Sequence, residues 1–234
     1  PRASMSGGVG VMIVSMMHRY GRRAALRKAL LLAGGGALPA RAAQPQRLLA
    51  LGDSLTAGYG LPRGQGFVPQ LQAALAARGR AVRVLDGGVS GDTMAGGAAR
   101  LDWALADRPQ AALVALGGND GLRGLPVAQM AAALHSILAR LEARRIPTLL
   151  AGMHAPPNLG ADYGRAFHAV FTEAAARRPG LVFMPFFLEG VAGEPRLNQP
   201  DGIHPNAEGV AEMVRRILPF VEQVLDRAAA QAAG

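Results

Sequence analysis

Apolar residues along this chain follow two alternating rhythms: short unbroken runs, and longer stretches in which they recur every three or four positions. The segments Arg47 to Leu51, Ala81 to Leu85, Ala111 to Leu116, Pro147 to Ala151 and Leu181 to Met184 have strand length and predict five β-strands. Between them, Phe67 to Leu75 is apolar at helical spacing, and Val127, Met130, Leu134, Leu138 and Leu141 mark one face of a longer helix. A further helix is predicted around Tyr163 to Ala176. The last carries Val210, Met213, Val214, Ile217 and Val221 on one face, after an Asn206 N-cap. Pro219 should kink or split it, because proline lacks the backbone donor and crowds the preceding turn.

Strands alternating with helices predict an α/β fold, a parallel sheet covered on both faces. In such sheets ligands bind beyond the carboxyl ends of the strands. Ser54, Gly91 and Asn119 each follow a predicted strand, while Asp201 and His204 occupy the loop before the last helix. One rim can therefore gather residues that lie far apart along the chain.

Four short blocks carry the chemistry: Gly52-Asp53-Ser54-Leu55, Ser90-Gly91-Asp92-Thr93, Gly117-Gly118-Asn119-Asp120 and Asp201-Gly202-Ile203-His204. A serine hydroxyl attacks a carbonyl only when a base removes its proton, and His204 can serve as that base. Asp201, three residues away, can bond the other ring nitrogen and hold the productive tautomer. The oxyanion then needs donors, which the backbone N–H groups of Ser54 and Gly91 and the side-chain amide of Asn119 can supply. His204 must be neutral to act, so turnover should fall on the acid side of neutrality. The G-x-S-x-G elbow of α/β-hydrolases is absent around Ser54.

With those blocks in this order, the chain resembles the SGNH (GDSL) hydrolase family, within it the bacterial thioesterase I, arylesterase and lysophospholipase group. The stretches Leu116 to Gly124, Pro185-Phe186-Phe187 and Asp201 to Asn206 carry the likeness, which runs from about Arg47 to the last helix. The resemblance implies a flavodoxin-like three-layer α/β/α sandwich with a five-stranded parallel sheet and no metal or organic cofactor. It implies Ser54, His204 and Asp201 as the triad, Ser54, Gly91 and Asn119 as the oxyanion hole, and an acyl ester, acyl thioester or lysophospholipid as substrate. In similar enzymes the loop after the third block moves over the acyl chain. Here that loop is Leu122 to Pro126, so Leu122, Arg123, Gly124 and Leu125, with Pro157, are expected at the substrate. Asp86 stands where relatives usually have Asn, and Leu125 and Leu159 where the best-known thioesterases carry aromatic residues.

Charge alters the picture only at the start of the chain. The net charge is +9, but seven of the 25 basic residues precede Ala43 and no acidic residue does, leaving 18 basic against 16 acidic side chains. No basic helix or aromatic-interleaved basic patch remains, so nucleic acid is not an expected partner. His18 to Lys28, Ala29 to Leu38 and Ala40-Arg41-Ala42 read as the basic, apolar and cleavage regions of an export signal. Residues 1–42 are thus expected to be a leader, with initiation at Met12, Met16 or Met17, and 43–234 a single domain. Arg22-Arg23-Ala24-Ala25-Leu26 resembles a twin-arginine signal, the general secretory route being the alternative. Ten apolar residues do not span a hydrocarbon core of ~30 Å, so no permanent membrane anchor is expected. The chain has no cysteine, which excludes a disulfide or a lipidated cysteine. A periplasmic or secreted monomer is expected.

Simpler readings apply to several residues. Asp53 is expected to order the turn at Ser54, Asp92, Thr93 and Asp120 to form turns and caps, and His135 and His168 to be structural. His154 reads as a non-catalytic surface histidine, a place in the pocket lining being the alternative, and Arg123 as a solvated loop arginine unless it attracts a substrate phosphate or carboxylate. Asp201 and His204 could be two metal ligands, but the motif offers no third or fourth. Two further functions remain open: a carbohydrate acetylesterase of the same superfamily, and a non-catalytic lipid-binding envelope protein.

Overall fold

The computed structural model describes residues 44–234; the leader expected at residues 1–42 lies outside the described residues. Five parallel strands form one sheet: β1 (Gln46–Gly52), β2 (Val82–Gly88), β3 (Ala111–Ala115), β4 (Thr148–Ala151) and β5 (Val182–Met184), in the order β2-β1-β3-β4-β5. All of β3 and β4, and β1 from Leu48 onward, are buried. That burial explains why these strands read as unbroken apolar runs.

Among the described residues seven α-helices accompany the sheet: α1 (Ser54–Ala57), α2 (Phe67–Ala77), α3 (Met94–Ala104), α4 (Gly118–Leu122), α5 (Val127–Ala143), α6 (Ala161–Ala176) and α7 (Ala207–Ala233). Helices α2 and α7 pack together, while α3 packs on α5 and α5 on α6, giving the outer layers of a three-layer α/β/α sandwich. The core runs through both interfaces and includes Phe67, Phe167, Phe171 and Phe187, all fully buried.

Besides the short helices α1 and α4, three features depart from the sequence reading. Helix α3 has no counterpart in it, because Gly96 and Gly97 blur the apolar stripe that would announce a helix. Gly97 is there for close packing: a Cβ at that position would stand 2.3 Å from Leu116 Cδ1. Strand β2 continues three residues beyond Leu85, pairing Gly87 and Gly88 with Leu51 and Gly52. Helix α7 is not split at Pro219. The proline sits on the exposed face, so Arg215, four residues earlier and also exposed, can turn its carbonyl to water.

Strand order reverses between β1 and β3, since β2 lies on the far side of β1. At that switch point a crevice opens beyond the carboxyl ends of the strands. Ser54 and Asn119 emerge from the two strands that flank it.

Candidate active site

Asp53 follows β1 directly and caps α1, its Oδ1 accepting the Leu55 N–H at 3.0 Å. This turn places Ser54 at the first position of a one-turn helix with its side chain half-buried at the rim. Val89 to Asp92 form a turn closed by the Asp92 N–H on the Val89 carbonyl at 3.0 Å. Gly91 takes φ +83 there, a left-handed conformation that favours glycine. Asn119 lies in the first turn of α4. Asp201 and His204 sit on the loop leading into α7, whose N-cap Asn206 accepts the Gly209 N–H at 3.0 Å.

The loop carrying Asp201 closes over the rim. His204 Nε2 lies 2.9 Å from Ser54 Oγ, and His204 Nδ1 lies 2.7 Å from Asp201 Oδ2. A carboxylate only accepts, so the Nδ1 proton faces Asp201 and Nε2 is left to accept from the Ser54 hydroxyl. Asp201 Oδ1 also accepts the backbone N–H groups of Ile203 and His204, at 2.9 and 3.0 Å. The bond from the His204 backbone, then that from its ring and that from Ile203, hold the Asp201 carboxyl down at about 2. It is therefore charged throughout the neutral range. The Tyr59 ring packs on the His204 ring, with centroids 4.7 Å apart.

Asn119 Nδ2 donates to the Asp92 backbone carbonyl at 2.9 Å and to Asp53 Oδ2 at 3.4 Å. The amide is thus aimed by its neighbours on the first and second blocks. Asp53 is only 2% exposed. Burial raises its carboxyl to about 6, against the opposing bonds from Leu55 and Asn119. Asp120 is buried too; burial also raises its pKa, and its Oδ2 accepts the Met94 N–H at 2.8 Å, tying α4 to α3.

A cleft of about 680 Å³ opens beside Ser54, with Asp53, Gly91, Asn119 and His204 in its wall. Its remaining wall is mostly apolar: Tyr59, Leu122, Met153, Pro157, Phe186, Leu188 and Ile203 come from five separate segments. Tyr59, Leu122 and Ile203 are three of the five large hydrophobic residues exposed among the described residues. Exposed large apolar side chains thus gather at the mouth of this cleft.

Of the expected substrate residues, Leu122 and Pro157 line this cleft, whereas Arg123, Gly124 and Leu125 do not. Arg123 turns instead to the Gly91 carbonyl, donating Nη2 at 2.9 Å. The Leu125 carbonyl is held by the Tyr163 hydroxyl at 2.8 Å, which draws that part of the loop toward α6. Gly124 lies between these anchors, at φ +59. His154 is exposed, in keeping with the surface reading, and it also lines the open cleft, stacked on Phe186 with centroids 4.1 Å apart; partial desolvation and then His168 lower its pKa. Sequence reasoning gave Tyr59, Met153, Leu188 and Ile203 no role. Only their nearness to the four blocks, or to the ends of β4 and β5, could have pointed to them. No three His, Asp or Glu side chains among the described residues converge as a metal ligand set.

The chain matches the GDSL-like lipase/acylhydrolase family over residues 50–211. It is 41% identical over 201 residues to esterase TesA of Pseudomonas aeruginosa, covering 85% of this chain and 100% of that protein. Thioesterase 1/protease 1/lysophospholipase L1 of Escherichia coli is 37% identical over 186 residues, covering 77% of this chain and 88% of that protein. Among solved structures, AlinE4, an SGNH-hydrolase family esterase, superimposes with a TM-score of 0.65 at 45% identity, covering 77% of this chain and 97% of that one. This chain belongs to the GDSL (SGNH) lipase/acylhydrolase family and is a hydrolase of the SGNH type.

Proposed function

We propose that this member of a hydrolase family is an exported serine esterase and thioesterase, cleaving acyl esters, acyl thioesters or lysophospholipids through an acyl-enzyme. The observation that carries the reading is the continuous relay from Asp201 through His204 to Ser54, at 2.7 and 2.9 Å, opening on an apolar cleft.

In this reading Ser54 Oγ attacks the substrate carbonyl as its proton passes to His204 Nε2. The imidazolium that forms is stabilised by the ionised Asp201. The carbonyl oxygen, now an anion, is met by the N–H groups of Ser54 and Gly91, neither of which has a backbone acceptor among the turn and loop bonds, and by Asn119 Nδ2, which exchanges its long bond to Asp53 Oδ2 for it. Collapse of the tetrahedral adduct breaks the ester or thioester bond, and the leaving oxygen or sulfur takes the proton from His204. Water then gives one proton to His204 and its oxygen to the acyl carbon; collapse of this second adduct breaks the Ser54 Oγ–acyl bond as the His204 proton returns to Oγ, and a free carboxylic acid leaves.

The apolar walls favour an acyl chain over a sugar, since each buried methylene contributes ~0.8 kcal/mol. Export is supported by the leader pattern of residues 1–42, which would leave 43–234 as the working domain. The relatives' names, esterase, arylesterase and thioesterase/lysophospholipase, match this substrate range.

A fluorophosphonate probe tests the chemistry, and a panel of p-nitrophenyl esters, acyl-CoA thioesters and lysophospholipids tests the substrate. Labelling at Ser54 with rates rising beyond acetyl is the expected result. A protein that resists the probe while binding lipid would overturn the reading, and activity confined to acetyl esters would turn it toward deacetylation.

A further inference from the structure

The three candidate oxyanion donors sit on separate loops, yet one largely buried side chain connects those loops. Arg100, on α3, donates Nε to Asp92 Oδ2 at 2.6 Å and Nη2 to the backbone carbonyl of Gly52 at 2.8 Å. Gly52 lies two residues before Ser54, and Asp92 directly follows Gly91. The backbone carbonyl of the same Asp92 accepts Nδ2 of Asn119 at 2.9 Å. The side chains of Arg100 and Asp92 are only 18% and 13% exposed, so the pair is little weakened by solvent.

A guanidinium presents its donors in a rigid planar fork. Two of them used at once set the separation between the end of β1 and the loop after β2. Besides this fork, the Val89 N–H on the Gly52 carbonyl, at 3.1 Å, joins those two segments just beyond the strand pairing. The arrangement is costly for the fold, because Arg100 Nη1 is buried with no partner among the described residues. Arg100 is not among the residues lining the cleft, so it has no route to the substrate.

We propose that Arg100 is a positioning residue for the oxyanion hole, holding the Ser54, Gly91 and Asn119 donors at the spacing that a tetrahedral adduct requires. The inference rests on the catalytic reading given above. Oxyanion donors act on the transition state, and losing one costs about 10²–10³ in rate. Apolar walls bind the ground state and do not depend on the clamp. Loosening the clamp should therefore lower kcat and spare KM.

The test compares Arg100→Gln and Arg100→Lys with the native enzyme and with Ser54→Ala, each kept well below its own melting temperature. Two quantities are read: kcat and KM on one ester, and the inhibition constant of an acyl trifluoromethyl ketone. Ser54 Oγ adds to the ketone carbonyl, its proton going to His204 and the new oxyanion to the hole. For Arg100→Gln, kcat should fall about 10- to 100-fold and ketone affinity by a similar factor, with KM within threefold. Arg100→Lys keeps the charge beside Asp92 but cannot form the fork, so it should recover part of both losses. Native kcat and ketone affinity in Arg100→Gln would overturn the proposal, as would a kcat loss without loss of ketone affinity. Should Arg100→Gln fail to fold, native values in Arg100→Lys would do the same. Turnover retained in Ser54→Ala would instead overturn the catalytic reading itself. If Ser54→Ala is inactive and Arg100→Gln is native, only the role of Arg100 fails.

Discussion

Asp201 holds His204 by both ends: one carboxylate oxygen takes the ring Nδ1 at 2.7 Å, and the other takes the backbone N–H at 3.0 Å. Three residues of separation make this possible, because the short turn folds the carboxylate back under the imidazole that follows. One side chain thus orients the His204 imidazole and braces the loop that carries it.

Replacing Asp201 should therefore do more than remove a charge. Asp201→Ala is expected to lower kcat by about 10³- to 10⁴-fold, with little change in KM. Because the native carboxyl stays ionised down to about 2, it adds no protonation step near neutrality. Steady-state kinetics of the purified variant check both parameters, and a kcat within tenfold of native would contradict the role of Asp201.

Ser54→Ala should abolish turnover, by about 10⁴-fold or more, while leaving the fold unchanged. The α1 cap comes from the Asp53 side chain and not from the serine hydroxyl. Loss of fluorophosphonate labelling, with native circular dichroism and melting temperature, is the expected pair of results.

Asp53 should make stability depend on pH. Its folded-state pKa, about 6, lies above the ordinary 3.8, so the folded protein holds this proton more tightly than the unfolded chain. Burial of the charged form costs stability above pH 6, and that loss is recovered as pH falls from about 6 toward 4. Asp53→Asn removes the titration. The stability of the native protein relative to this variant should rise by about 3 kcal/mol across that window. Denaturant melts at several pH values measure the change, and any constant offset from altered hydrogen bonding drops out of the comparison.

Phe186 forms part of the apolar wall and stacks on His154. Phe186→Ala should cut kcat/KM for a decanoyl ester about tenfold relative to a butyryl ester of the same alcohol, since the longer chain loses more contact. Initial rates on the two esters give the ratio; an unchanged ratio would place the acyl chain elsewhere.

The sheet was legible in the sequence because its strands are buried on both faces, and burial on both faces demands unbroken apolar runs such as Leu48 to Leu51. The order of the four blocks was legible too, since serine, histidine and aspartate chemistry constrains residue type. Helix α3 was not, because Gly97 answers to the bulk of Leu116 on a neighbouring element and not to any pattern within its own segment. Contacts decided where the loop after Asn119 goes: the Tyr163 hydroxyl and the Gly91 carbonyl draw Leu125 and Arg123 away from the cleft. The Arg100 fork and the assembled wall of Tyr59, Met153, Phe186 and Ile203 likewise exist only once distant segments meet. Local sequence fixes what a residue can form with its near neighbours along the chain. Partners tens of residues away are chosen by packing, and that choice belongs to the tertiary structure.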